Sequence, residues 1–257
     1  MNLKYLKEVI NKRTVAILTH GKSIEQLENY IELLADFNIC YIGLGLFPLF
    51  EKYILSKVDK NLDIVFDCAT VPHARLDHYE RIRLPRIHEF LNRPDENLVI
   101  VSYGLIRDSV QTYMPELLIN FSEKILKVDD LFPKEQIPYW MSVPNSIALA
   151  IGSVVASGTK KIITFGLDGY NNDISKGLDS YYHPEEHGKE RLAALGTIFD
   201  AGINRDTLGF NGTFEKRFIE YQNLFNNYCS IYNCSPNSFY KFPKIIDYNN
   251  LIKILNE

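Results

Sequence analysis

Short apolar runs rich in β-branched residues recur along this chain, and each is followed by a glycine or polar turn or by a stretch with helical spacing. The clearest run occupies residues 14–19, stops at His20-Gly21, and gives way to helical spacing from Ile24 to about Leu34. Similar apolar runs occur further along, at residues 38–42, 62–66, 97–102 and 161–165. Strands that alternate with helices are typical of a parallel sheet with crossover helices. The pattern therefore predicts an α/β fold.

The most specific part of this pattern is the block from residue 146 to residue 170. A helix of small residues is predicted for residues 146–157, and it ends at Gly158. The apolar strand 161–165 follows directly and stops at Gly166 and Asp168. A helix that feeds into such a strand and turn forms half of a Rossmann-type unit. We therefore expect a Rossmann-like, mostly parallel sheet with helices on both faces.

The composition of the chain changes after Tyr170. Residues 171–212 are rich in Asn, Asp, Gly, Tyr and His, with one predicted helix at 185–199. Helical spacing of aromatic residues returns at 213–228, and residues 229–233 are predicted to form the last strand. We expect residues 1–170 and 213–257 to form one nucleotide-binding domain, with residues 171–212 as a small lid insertion.

Charge and hydropathy limit the partners that the chain can have. Its 28 Lys and Arg against 32 Asp and Glu give a formal net charge of −4, which offers no general attraction for nucleic acid. Its longest apolar stretches fall short of the roughly 20 residues that span a bilayer, and its polar start lacks a signal-peptide core. We expect a cytoplasmic protein without a transmembrane segment, which leaves peripheral membrane association and a homo-oligomer open. The four scattered cysteines are predicted to be buried free thiols.

The turn after the first strand is a candidate ligand site. Gly21 lets a ligand approach the backbone, and the helix start that follows offers free N–H groups with a partial positive charge. His20 and Ser23 flank this glycine and complete the candidate. A phosphate or a nucleoside fits there, although a simple helix N-cap is the favoured explanation of Ser23 taken alone.

Two later turns are further candidates. Asn145 and Ser146 open the helix of small residues, where they can hydrogen-bond a ribose, a base or a phosphate, or merely cap the helix. Asp168 lies between two glycines, where it can position substrate, bind a divalent cation or form a turn. Ligands of an open parallel sheet bind beyond the carboxyl ends of the strands, so these turns are expected to converge on one crevice.

The predicted lid contains a cluster of phenols and imidazoles: Tyr181, Tyr182, His183 and His187. Phenols can donate hydrogen bonds to phosphate oxygens, and a histidine can transfer a proton near neutral pH. No third metal ligand accompanies the two histidines, so we predict no metal site. The alternative to a functional role for this cluster is a solvated helix start. The segment 73–88 is rich in Arg and His, and an ion-paired amphipathic helix is favoured there over an acceptor-binding surface.

Taken together, these segments resemble the bacterial sialyltransferases that use CMP-activated sialic acid, and also the related MptE-like proteins. The matching segments are 16–24, Asn145-Ser146, 156–170 and the turn at 235–238. The resemblance implies a GT-A-like variant of the Rossmann-like fold, with a lid that closes over the donor. It also implies that His20, Gly21, Asn145 and Ser146 line a cytidine monophosphate pocket, and that Tyr170, Tyr181 and Tyr182 approach the phosphate.

The chain departs from this family at two positions. Lys22 stands where the family has proline, and the family's catalytic histidine corresponds to about Asn211, which cannot act as a base. We therefore expect His183 or His187 to serve as the base, with Asp168 as a further catalytic candidate.

The resemblance predicts a glycosyltransferase of surface-polysaccharide biosynthesis. It would move a nonulosonic acid or similar sugar from a CMP-sugar donor to a glycan acceptor, and it requires no cofactor. One alternative is a pyrophosphokinase of the MptE-like type, in which Asp168 holds magnesium. The other is a catalytically inactive protein that binds a nucleotide-sugar.

Overall fold

The computed structural model describes residues 2–44, 48–67, 85–94, 98–101, 115–127, 146–168, 227–236, 238 and 243–257. Within these residues, eight strands form one sheet in which every neighbouring pair is parallel. The strands are β1 Thr14–Leu18, β2 Ile39–Leu44, β3 Ile64–Asp67, β4 Leu98–Val101, β5 Ile125–Lys127, β6 Lys161–Phe165, β7 Ser230–Asn233 and β8 Lys244–Ile245. This confirms the predicted Rossmann-like α/β fold.

Helices cover both faces of the sheet. They are α1 Asn2–Ile10, α2 Leu27–Tyr30, α3 Pro48–Tyr53, α4 at residues 85–91, α5 Glu116–Phe121, α6 Ser146–Ala156 and α7 Tyr248–Asn256. Helices α1 and α6 bury their apolar side chains in one hydrophobic core, and α2, α3, α4, α5 and α7 bury theirs in another on the opposite face. The prediction of helices on both faces is therefore confirmed.

Apolar spacing explains how these elements pack. In α6 the buried residues Ile147, Ala150, Ile151 and Val154 recur at the three- and four-residue spacing that places side chains on one helix face. Every residue of β2 is buried, because a strand in the middle of a doubly covered sheet has no solvent-facing side. Helix α6 ends two residues before Gly158, which adopts a left-handed backbone with φ +88°, as the residue after a helix C-terminus commonly does.

The strand order is β5-β4-β3-β2-β1-β6-β7-β8. The chain winds outward from β1 to β5, returns to pair β6 with the other side of β1, and then winds outward in the opposite direction. Such a reversal leaves a crevice at the carboxyl ends of the two strands that flank it, and ligands of open α/β sheets bind in this crevice. From the fold, we therefore expect a ligand-binding site at the carboxyl ends of β1 and β6.

Two details of the predicted fold are wrong. The strand at β7 is not the last, because the two-residue strand β8 follows it. The predicted helix after Gly21 is divided, since 3-10 turns at Lys22–Gln26 and Ile31–Leu34 flank the short α2. The lid, its predicted helix at 185–199 and nearly all of the segment 213–228 lie outside the described residues. None of the described helices has the length and apolar character needed to cross a membrane.

Candidate functional site

The turns after β1 and β6 are joined by backbone hydrogen bonds. Thr19 N donates to Phe165 O at 2.9 Å, and Gly21 N donates to Gly166 O at 2.9 Å. The Thr19 hydroxyl adds a further bond to Phe165 O at 3.0 Å. We call residues 19–23 and 166–168 the β1–β6 crevice. Its backbone is fixed from both sides, which is the preorganisation that a binding site needs.

Gly21 and Gly166 allow this close approach. A Cβ atom on Gly21 would lie 2.1 Å from Gly166 O and 2.6 Å from Asp168 Oδ2. Gly166 has φ +73°, and a Cβ there would lie 2.5 Å from Thr19 O. Gly21 was predicted to make room for a ligand, but the atoms that exclude a side chain at this position belong to the protein itself.

Asp168 reaches from the end of β6 to the start of the 3-10 turn after β1. Its Oδ2 accepts a hydrogen bond from Ser23 N at 2.8 Å, and its Oδ1 accepts one from Ser23 Oγ. The prediction of Ser23 as an N-cap is wrong, because Gly21 occupies the N-cap position and the turn has no side-chain cap. The Ser23 hydroxyl instead holds the Asp168 carboxylate in place.

The carboxyl end of β7 contributes a third set of polar groups. The hydroxyl groups of Ser23 and Ser235 lie 3.0 Å apart, and Ser235 is fully buried. Asn233 Nδ2 and Ser238 Oγ both donate to Leu167 O, at 3.0 and 2.7 Å. The expected turn at 235–238 is closed by a hydrogen bond from Ser238 N to Ser235 O at 3.0 Å. Sequence reasoning noted this turn but did not connect it to Asp168, because nothing local indicates that β7 pairs with β6.

His20 is part of the crevice segment 19–23, and its imidazole packs on a neighbouring helix. Its ring stacks on Phe50 of α3 with centroids 4.9 Å apart and planes 24° apart. Phe50 is fully buried, so the ring of the half-buried His20 rests on a fixed surface. The structure thus places Gly21 against Gly166 and Ser23 against Asp168, with His20 next to Gly21 in the chain; that these residues bind a ligand stays a prediction.

Other predicted site residues are not tested by this geometry. Asn145, Tyr170, Tyr181, Tyr182, His183 and His187 lie outside the described residues. Ser146 is the first residue of α6, which crosses between parallel strands of the sheet and therefore begins at the carboxyl edge. Of the Arg- and His-rich segment, only Arg86 and His88 are described, and both belong to α4.

The charge of the crevice determines which ligand groups can bind there. The Asp168 carboxylate accepts the hydrogen bond of Ser23 N–H. A backbone donor at a helix start commonly binds a phosphate, but here it is already used by Asp168. A second anion at this point would be repelled, whereas a hydroxyl donor or a cation would be attracted. No cluster of three or more potential metal ligands occurs within the described part of the chain.

A cavity of about 680 Å³ lies at the opposite, amino edge of the sheet. The Arg13–Asp63 ion pair, with a 2.7 Å contact, lies in its wall beside Asn11 and Asn61. Arg13 also donates to Ile39 O at 3.3 Å and to Val9 O, so the pair ties α1 to β2 and β3. The Arg13–Asp63 pair therefore has a structural role, and it lies at the opposite edge of the sheet from the β1–β6 crevice.

No protein-family model, no curated protein and no solved structure matches this chain.

Proposed function

We propose that this protein is a glycosyltransferase of surface-polysaccharide biosynthesis that binds a CMP-activated sugar in the β1–β6 crevice. It transfers a nonulosonic acid or similar sugar to a glycan precursor in the cytoplasm. The observation that carries the proposal is the Ser23–Asp168 contact at the reversal of strand order, the place where α/β proteins bind nucleotides. The resemblance of the flanking segments to CMP-dependent sialyltransferases supplies the chemical class.

The proposed reaction inverts the anomeric carbon. His183 or His187 takes the proton of the acceptor hydroxyl while its oxygen bonds to the anomeric carbon. The bond from that carbon to the phosphate oxygen breaks, and CMP leaves with the electron pair. Tyr170, Tyr181 and Tyr182 donate hydrogen bonds to the departing phosphate, so the reaction needs no metal or other cofactor.

Calorimetric titration with CMP, CDP, UDP and GDP tests the proposal. We expect the cytidine nucleotides to bind at least about tenfold more tightly than the others, which corresponds to about 1.4 kcal/mol. Ser23→Ala should weaken this binding because it removes the hydroxyl that holds Asp168 Oδ1, which leaves the carboxylate with the single hydrogen bond from the backbone N–H of residue 23. Ser157→Ala is the matched control, since the Ser157 hydroxyl bonds to Val154 O at the far end of α6. Equal affinity for all four nucleotides would remove the proposal.

Asp168 also favours a second candidate, a magnesium-dependent pyrophosphokinase. Magnesium prefers one or two carboxylates together with phosphate oxygens, and Asp168 could supply one. This candidate predicts that the protein consumes ATP only with magnesium and that Asp168→Asn abolishes the activity. Tight CMP-sugar binding without turnover would instead support a nucleotide-sugar-binding protein.

A further inference from the structure

Two buried hydroxyl groups lack a hydrogen-bond partner in the described part of the chain: those of Tyr41 and Tyr248. Buried polar groups in proteins are nearly always hydrogen-bonded, because removing one from water without a partner costs folding free energy. Each exception needs a physical explanation. Tyr41 lies in β2 near the amino edge of the sheet, whereas Tyr248 lies near the candidate site.

Tyr248 is the first residue of α7 and is only 5% exposed. Its ring stacks on Tyr30 with centroids 4.4 Å apart and is tilted against Phe165 at 6.2 Å. Phe165 is the last residue of β6, directly before the crevice residues 166–168. Just before α7, Ile246 N donates to Asn233 O at 2.9 Å, which joins this part of the chain to the end of β7. Tyr248 is therefore held firmly at the carboxyl edge of the sheet.

The surroundings of Tyr248 keep its hydroxyl protonated. Burial raises the pKa of Tyr248, and the charges of Cys234, Asp168 and Tyr30 raise it further. The Asp168 carboxylate is thus close enough to act on the phenol electrostatically, yet its oxygens accept hydrogen bonds from Ser23. Asp168 itself is half-buried, so part of its side chain keeps contact with solvent.

We propose that Tyr248 is a ligand-binding residue whose hydroxyl, together with the Asp168 carboxylate, recognises the ribose hydroxyl groups of the bound nucleotide. A carboxylate only accepts hydrogen bonds, and the protonated phenol can donate one. Neighbouring ribose hydroxyls both donate and accept, so one can donate to Asp168 while the other accepts from Tyr248. A phosphate has no proton to offer Asp168 and carries the same charge. The identity of the nucleotide in this proposal rests on the proposed function.

The test compares Tyr248→Phe with Tyr41→Phe, since each variant removes one partnerless buried hydroxyl. Binding of CMP and of 2′,3′-dideoxycytidine monophosphate is measured by calorimetry. We expect Tyr248→Phe to weaken CMP binding about threefold to tenfold, the loss typical of one hydrogen bond, and to leave the dideoxy nucleotide unaffected. Tyr41→Phe should change neither affinity. In urea denaturation without ligand, neither variant should unfold more easily than the wild type.

The outcomes separate this proposal from the proposed function. If the wild type binds CMP and Tyr248→Phe binds it equally well, only the role of Tyr248 is overturned. An equal loss of affinity for CMP and for the dideoxy nucleotide also overturns it, because the ring would then act through packing. A wild-type protein that binds no cytidine nucleotide overturns both proposals.

Discussion

Neither residue 21 nor residue 166 has room for a side chain, because a Cβ atom would meet Gly166 O at the first position and Thr19 O at the second. Glycine is required at the two positions for different reasons. Gly21 has an extended backbone, φ −67° and ψ 151°, that any residue can adopt, so only the contact with Gly166 O and Asp168 excludes a Cβ atom. Gly166 has both a steric contact and a left-handed backbone. The sequence indicated that a glycine is needed at position 21, but the residues that exclude a side chain there, Gly166 and Asp168, are distant in the chain.

Gly21→Ala and Gly158→Ala separate steric exclusion from backbone strain. Gly158 has φ +88°, and no atom of the described residues lies within 4 Å of the position that a Cβ would take, so alanine there meets only the left-handed penalty of about 1–2 kcal/mol. Gly21→Ala should cost about 3 kcal/mol or more, because a backbone oxygen and the hydrogen-bonded Asp168 must both move. Urea denaturation of the two variants measures the difference. A smaller loss for Gly21→Ala than for Gly158→Ala would contradict the interlocked turns.

Most of the elements that sequence patterns predicted contain several consecutive apolar residues, with the short β7 as an exception. The apolar runs in β1, β2, β3, β4 and β6 were all visible, and α6 was identified by its small residues and the glycine after it. The strand β8 was not, because its two residues, Lys244 and Ile245, are both exposed and show no alternation. Helix α7 was also missed, although Tyr248, Leu251, Ile252 and Leu255 form an apolar face. This helix matters for the site because it carries Tyr248.

The start of α7 depends on Asp247, whose Oδ1 accepts a hydrogen bond from Asn250 N at 2.7 Å. Asp247→Ala should lower the free energy of unfolding by about 1 kcal/mol, the usual value for loss of an N-cap. Asp247→Ser should retain most of the stability, because a serine hydroxyl can cap the same N–H group. Thermal and urea denaturation measure both variants. Equal losses for Ala and Ser would show that Asp247 does not act as a cap.

The order of the strands lies beyond local sequence reasoning. Apolar runs indicate where strands are, but β6 pairs with β1 across more than half of the chain, and a pattern of neighbouring residues does not indicate a pairing at that range. Consequently the expected convergence of the β1 and β6 turns followed only from the general behaviour of parallel sheets. The contribution of β7, through Ser235 and Asn233, follows from its place next to β6.

The positions of the cysteines in the sheet predict how fast their thiols react with an alkylating agent. Cys40, Cys229 and Cys234 are free and buried, as expected for three of the four cysteines, and Cys68 lies outside the described residues. Burial raises the pKa of Cys229 and of Cys234 to about 12, and it raises that of Cys40 well above its usual range. Alkylation requires the thiolate, so all three should react slowly in the folded protein at pH 8.

The rates should nevertheless differ, because opening an outer part of a sheet takes less free energy than opening its centre. Cys229 and Cys234 flank β7, which only the two-residue β8 separates from the edge, whereas Cys40 lies in the central β2. In the folded protein, pulsed iodoacetamide labelling followed by peptide mass spectrometry should therefore modify Cys229 and Cys234 at least about tenfold faster than Cys40. In denaturant the three rates should converge, which serves as the control. Labelling of Cys40 as fast as that of Cys229 would show that β2 is not protected as the centre of this sheet.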